Sequence, residues 1–138
     1  MKFFRNLKPV FFENSRIPVW LSYIAPLEIG AICLGPVVFA RGTMNDVTKR
    51  HETIHFQQCL DTLFIGTVLI YAWDWLHGRI KYHKSWQGEK DTRGYEFTSA
   101  GNKAYHRVRA EQEAYDNEKS ENYLNTRKRW QWLFKYSV

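Results

Sequence analysis

From Asp46 to Ile65 the chain carries no Gly or Pro, and near its middle stands His51-Glu52-Thr53-Ile54-His55, an H-E-x-x-H. A run this long without a breaker, entered through Asn45 or Asp46 as N-cap, predicts a helix. On a helix, positions four apart lie on one face, so His51 and His55 can offer two imidazoles to one metal ion. Glu52 is turned about 100° from His51. That is too far to join the ligands but near enough to act on a water beside the metal. Two His ligands with an adjacent Glu as general base is the ligand chemistry of a zinc hydrolase.

The 138 residues suit a single domain, 1–138, able to bury about two-thirds of its unfolded surface. Rings make up 17% of the residues, so aromatic packing can supply much of the core. Cys33 and Cys59 are too few for a disulfide framework and too far apart in sequence for a thiolate zinc site. They suggest a reducing, intracellular setting. The basic start, Met1 to Pro9, lacks the apolar run of a signal peptide. A net charge of +6 favours acidic partners. An anionic membrane surface and nucleic acid both qualify, nucleic acid being the weaker expectation; the charge also serves solubility.

Residues 1–16 alternate rings and bases and read as an extended arm. The apolar stretch 17–40 is cut by Pro18, Pro26, Pro36, Gly30 and Gly35, which argues against a membrane span. It predicts short strands over Val19–Ile24, Glu28–Leu34 and Val37–Ala40, with Gly35-Pro36 as the turn. Residues 63–76 are apolar, but the uncharged run Thr62–Trp73 is too short to span a bilayer. A central core helix is expected, with a membrane-lying helix as the alternative and Gly66 at the bend. Residues 77–102 predict a long polar connection, the natural place for a flap. A charged helix follows from about Val108 to Leu124, and then a basic, ring-rich tail.

Two histidines require a further protein ligand. Asp61 would need the helix to end near Gln58, and Glu111, Glu113, His77, His83 and His106 are the other donors. Here the sequence resembles a known group. In gluzincin-type zinc peptidases, H-E-x-x-H is followed by a helix bearing E-x-x-A-D or E-x-E-A-N, whose first Glu completes the metal site. Glu111-Gln-Glu-Ala-Tyr115 is similar, with Tyr115 in place of the final Asp or Asn. A closer resemblance is to small, largely uncharacterised bacterial and phage-associated proteins. These share H-E-x-x-H-x-x-Q-Q (His51 to Gln58), an apolar Trp-rich helix, Lys103-Ala-Tyr105, and E-x-E-A-Y-x-N-E (Glu111 to Glu118).

The resemblance implies an α+β, minimal zincin-like domain: a small sheet, a metal-site helix, an apolar core helix and a Glu-bearing C-terminal helix. It implies Zn2+ held by His51, His55 and Glu111, with Glu52 as base, a peptide or protein as substrate, and Asp116 as a replacement for the missing carboxylate. Glu113 is then a partner for Arg107 or Arg109. Tyr115, Tyr105 and His106 are the residues available to steady a developing oxyanion. Two alternatives have different consequences. One is a non-catalytic structural, membrane-surface or virion-associated module that retains the zinc site; the other is a basic nucleic-acid-binding protein. The sequence leaves the oligomeric state undetermined.

Overall fold

The computed structural model describes residues 6–24 and 29–138. The architecture is mixed α+β. In chain order the described elements are β1 (Val10–Phe12), α1 (Ile17–Ile24), β2 (Ala31–Leu34), β3 (Val37–Ala40), α2 (Asp46–Asp61) and α3 (Ile65–Lys81). Then come α4 (Ala100–Arg107), α5 (Arg109–Asn117), α6 (Tyr123–Thr126) and α7 (Trp132–Lys135).

The strands form one sheet in the order β1-β3-β2. β2 and β3 make an antiparallel hairpin with Leu34 opposite Val37, closed by Gly35-Pro36. Gly35 sits at φ 65°, a region glycine enters without steric cost. β1 runs parallel to β3, pairing Val10 with Val37 and Phe12 with Phe39, so the N-terminal arm supplies a strand. Alternation puts Val38 and Ala40 on the buried face, where they meet Met44, Phe11, Ala31 and Cys33.

Two expectations for this region change. Val19–Ile24 is helix rather than strand. The Ser15 hydroxyl accepts from the Ile17 amide at 3.2 Å, and Pro18 occupies the first turn, where its missing N–H costs nothing. The expected strand Glu28–Leu34 is shorter, at Ala31–Leu34, and Glu28 and Pro26 lie outside the described residues, as do Phe3, Phe4 and Arg5.

Helix α2 is capped by Asn45, whose side chain accepts from the Thr48 amide at 2.8 Å. Such a cap contributes about 1 kcal/mol. The helix runs unbroken to Asp61, and α3 then leaves at 111°. The bend is made by Leu63 and Phe64 at φ 55° and 63°, and not by Gly66. Gly66 lies inside α3, where a Cβ would come within 2.7 Å of Thr62 Cβ, so a hydrogen there lets the corner close.

Helix α3 is not the core helix expected of residues 63–76. Its buried residues are Thr67, Asp74 and Gly78, while Ile65, Leu69, Trp73 and Ile80 are exposed. Gly78 is the contact with α4: a Cβ there would meet Ala104 Cα and Cβ at 3.0 Å. A second core cluster, Val108, Ala110 and Trp132, gathers Ile70, Tyr71, Trp75, Leu133 and Tyr136 where the C-terminal segment folds back. Helix α3 persists to Lys81 and α4 begins at Ala100, so the polar connection is 82–99 rather than 77–102. The helix expected from about Val108 to Leu124 starts at Arg109, set off from α4 by Val108 at ψ 130°, but it ends at Asn117, and Tyr123–Thr126 is a separate short helix.

Candidate metal centre

His51 and His55 project from one face of α2, and α5 crosses α2 to deliver Glu111 between them. His51 Nε2 and His55 Nε2 are 3.1 Å apart. Glu111 Oε2 lies 3.4 Å from the first, and Oε1 3.3 Å from the second. Ligands bound tetrahedrally at about 2.0–2.1 Å sit roughly 3.3 Å from each other. Each spacing is near that length, the two Glu111 contacts being made by its two different oxygens, and one donor atom from each residue lies within 4.8 Å of the others.

Hydrogen bonding fixes what these atoms present. His51 Nδ1 is 2.7 Å from Glu118 Oε2, and a carboxylate can only accept, so Nδ1 carries the proton. The Gln58 amide nitrogen donates to Ala110 O at 3.0 Å and to Glu113 Oε2 at 2.6 Å, turning its oxygen toward His55. His55 Nδ1 donates to that oxygen at 2.8 Å. In the neutral imidazoles that a metal needs, both Nε2 lone pairs therefore face the Glu111 carboxylate. Glu111 Oε1 accepts from Tyr71 Oη at 2.9 Å, whereas Oε2 is buried with no hydrogen-bond partner. Two oriented imidazoles beside a buried carboxylate with one unsatisfied oxygen suit a cation.

The charges agree. Burial pulls the His55 pKa down, but the Glu111 charge leads the interactions that lift it to about 10. His51 shifts upward in the same way, with Glu111 and Glu118 outweighing burial. Burial pushes Glu111 up, and His55 and His51 reverse this and hold it well below the carboxylate range. Glu52 moves up through burial, against the pull of both histidines.

The site opens into a cleft of about 1370 Å³, which Glu52 also lines. Its walls include β2, Val68, Tyr71 and Ala72 of α3, and Tyr95 and Thr98 of the connection. Tyr115 lies edge-on to His51 with ring centroids 4.6 Å apart. Burial and the Glu111 charge push its hydroxyl up to about 12, so it is protonated at neutral pH. Arg93, ion-paired with Asp91, stacks over the Tyr115 ring at 4.1 Å, and His106 packs against the same ring.

The remaining sequence candidates lie elsewhere. Asp61 is buried against Arg127 (2.8 Å) and Arg129 (3.0 Å) and also accepts from Trp132 Nε1. Glu113 binds Gln58, Tyr123 and Arg127 rather than Arg107 or Arg109; Arg109 is held by Asp74 instead. His77 and His83 are exposed and take no part in the cluster, and Asp116 is exposed as well. The carboxylate that orients a histidine is Glu118. It is seven residues, two helical turns, beyond Glu111, a spacing that would have identified it. Tyr71 carried no comparable signal. The chain matches no family model, no curated protein and no solved structure.

Proposed function

We propose that the chain is a zinc-dependent peptide hydrolase on a minimal zincin-like plan, with His51, His55 and Glu111 as the metal ligands. One observation carries this reading: two oriented imidazoles and a buried carboxylate with one unsatisfied oxygen bring their donor atoms within 4.8 Å of one another, and Glu52 lines the same cleft. A zinc ion held there would supply Lewis acidity, polarising a carbonyl and lowering the pKa of a water.

The protein's own groups do the rest. Glu52, made more basic by burial, takes the proton of the attacking water and returns it to the leaving amine. Tyr115, protonated at neutral pH, donates toward the carbonyl oxygen as negative charge develops. β2 has β3 as its one neighbour among the described strands and lines the cleft. Its free edge suits main-chain pairing with an extended peptide, which favours a peptide or protein substrate.

Glu52→Gln tests the proposal. Zinc-loaded wild type should cleave a mixed-sequence peptide library and lose that activity on chelation. The variant should retain the metal and lose about 10²–10⁴-fold in rate. Equal rates would remove Glu52 from the chemistry. A fully zinc-loaded wild type that cleaves nothing would favour the non-catalytic module.

A further inference from the structure

Helix α3 is amphipathic in the reverse sense. Its polar residues Thr67 and Asp74 face inward, where Thr67 donates to Gln58 O at 2.9 Å and Asp74 accepts two hydrogen bonds from the Arg109 guanidinium. Its outer face carries Ile65, Val68, Leu69, Trp73, Leu76 and Ile80, each 53–72% exposed. At 100° per residue these six fall in an arc of about 140°, and from Ile65 to Ile80 the stripe is about 22 Å long. A soluble helix turns such an arc toward the core, and a continuous apolar patch left outside marks an interaction surface. Among the described residues nothing covers it.

We infer that this face is a membrane-docking surface, and that its partner is an anionic lipid bilayer which α3 lies upon rather than crosses. Charge indicates this occupant. Between Thr62 and Gly88 the sequence has one carboxylate, Asp74, which is 1% exposed and paired. The bases of the same stretch, Arg79, Lys81 and Lys84, are all exposed; Arg79 and Lys84 lie near the C-terminal end of the stripe, while Lys81 is turned to the other side, where it donates to Val138 O at 2.9 Å. An apolar face with Trp73 on it and cations beside it matches acyl chains bordered by anionic headgroups. Among the described residues no single helix is long and apolar enough to cross a membrane. Val68 belongs both to the stripe and to the cleft wall, as does the neighbouring Ala72, so docking would set the cleft mouth at the lipid surface.

Vesicle co-sedimentation of the full chain tests this. Wild type should pellet with phosphatidylcholine–phosphatidylglycerol vesicles and more weakly with phosphatidylcholine alone. Leu69→Glu/Trp73→Glu should reduce the bound fraction about tenfold or more. Its thermal unfolding should stay close to wild type, because both side chains are already in solvent; if it does not, Leu69→Ser/Trp73→Ser replaces it. Lys84→Glu should weaken binding to the anionic vesicles only. Failure of wild type to bind either vesicle would overturn the proposal. So would binding that both double variants retain and salt abolishes, which is charge adsorption alone. A wild-type dimer that the double variant converts to monomer, without vesicle binding, would assign the face to a second copy.

Discussion

His51 Nδ1 and Glu118 Oε2 lie 2.7 Å apart, joining α2 to the residue just after α5 and fixing the tautomer of a proposed ligand. A carboxylate behind a metal-binding histidine both orients the ring and raises its basicity. Glu118→Gln should therefore leave the stoichiometry at about one zinc per chain and weaken affinity about 10–100-fold, read by competition with a chromophoric chelator. Unchanged affinity would mean that the contact is only structural.

The acidic residues near the site should separate cleanly. Glu111→Ala, His51→Ala and His55→Ala should each abolish stoichiometric zinc, measured by elemental analysis after dialysis. Glu113→Gln and Asp61→Asn should keep the metal but unfold more readily, by about 3–5 kcal/mol, because each leaves Arg127 buried with part of its counter-charge gone. Zinc retained at full stoichiometry by Glu111→Ala would contradict the assignment.

The chelated protein should show a pH dependence that zinc removes. His55 is raised from 6.5 to about 10, so its stabilisation is complete below about pH 6.5 and declines as the pH climbs toward 10. Glu111 is depressed, so its contribution is present above its ordinary value near 4.5 and is lost only at lower pH. Melting temperatures of the chelated chain should therefore peak between about pH 4.5 and 6.5 and fall at alkaline pH. Zinc needs neutral imidazoles, so its addition near neutral pH should release protons, detectable in a weakly buffered solution. A flat profile without metal, or no proton release, would refute this account.

Gly78 gives a test of packing alone. A Cβ at this position would stand 3.0 Å from both Ala104 Cα and Cβ, so Gly78→Val should cost about 1–3 kcal/mol in denaturant unfolding. Zinc affinity should change little, since neither Gly78 nor Ala104 lines the cleft.

What could be read from the sequence depended on how local its cause was. His51, Glu52 and His55 needed only helical periodicity, and Asn45 only its capping chemistry. Val19–Ile24 reads as strand because its branched and aromatic residues favour one, while the Ser15 hydroxyl and Pro18 are the weaker, decisive start signal of the helix Ile17–Ile24. Hydropathy also misplaced α3: apolarity measures how readily a residue leaves water, not which side of the helix the protein occupies. Thr67, Asp74 and Gly78, spaced seven and four apart, marked the inward face all along. Glu111 was set apart from Asp61 and Glu113 only by the resemblance of its E-x-E-A segment, since the helix crossing that brings it to the histidines is encoded by no local pattern. The pairing of Asp61 with Arg127, 66 residues on, lay equally out of reach.

That pairing also reaches the candidate site at one remove. Gln58 orients His55 and is itself held by Glu113, whose charge, with that of Asp61, is answered by Arg127. The orientation of one histidine therefore leans on a guanidinium supplied from beyond α5. Arg127 serves as a keystone: without it two buried carboxylates lose a counter-charge, and the group that aims His55 loses its anchor.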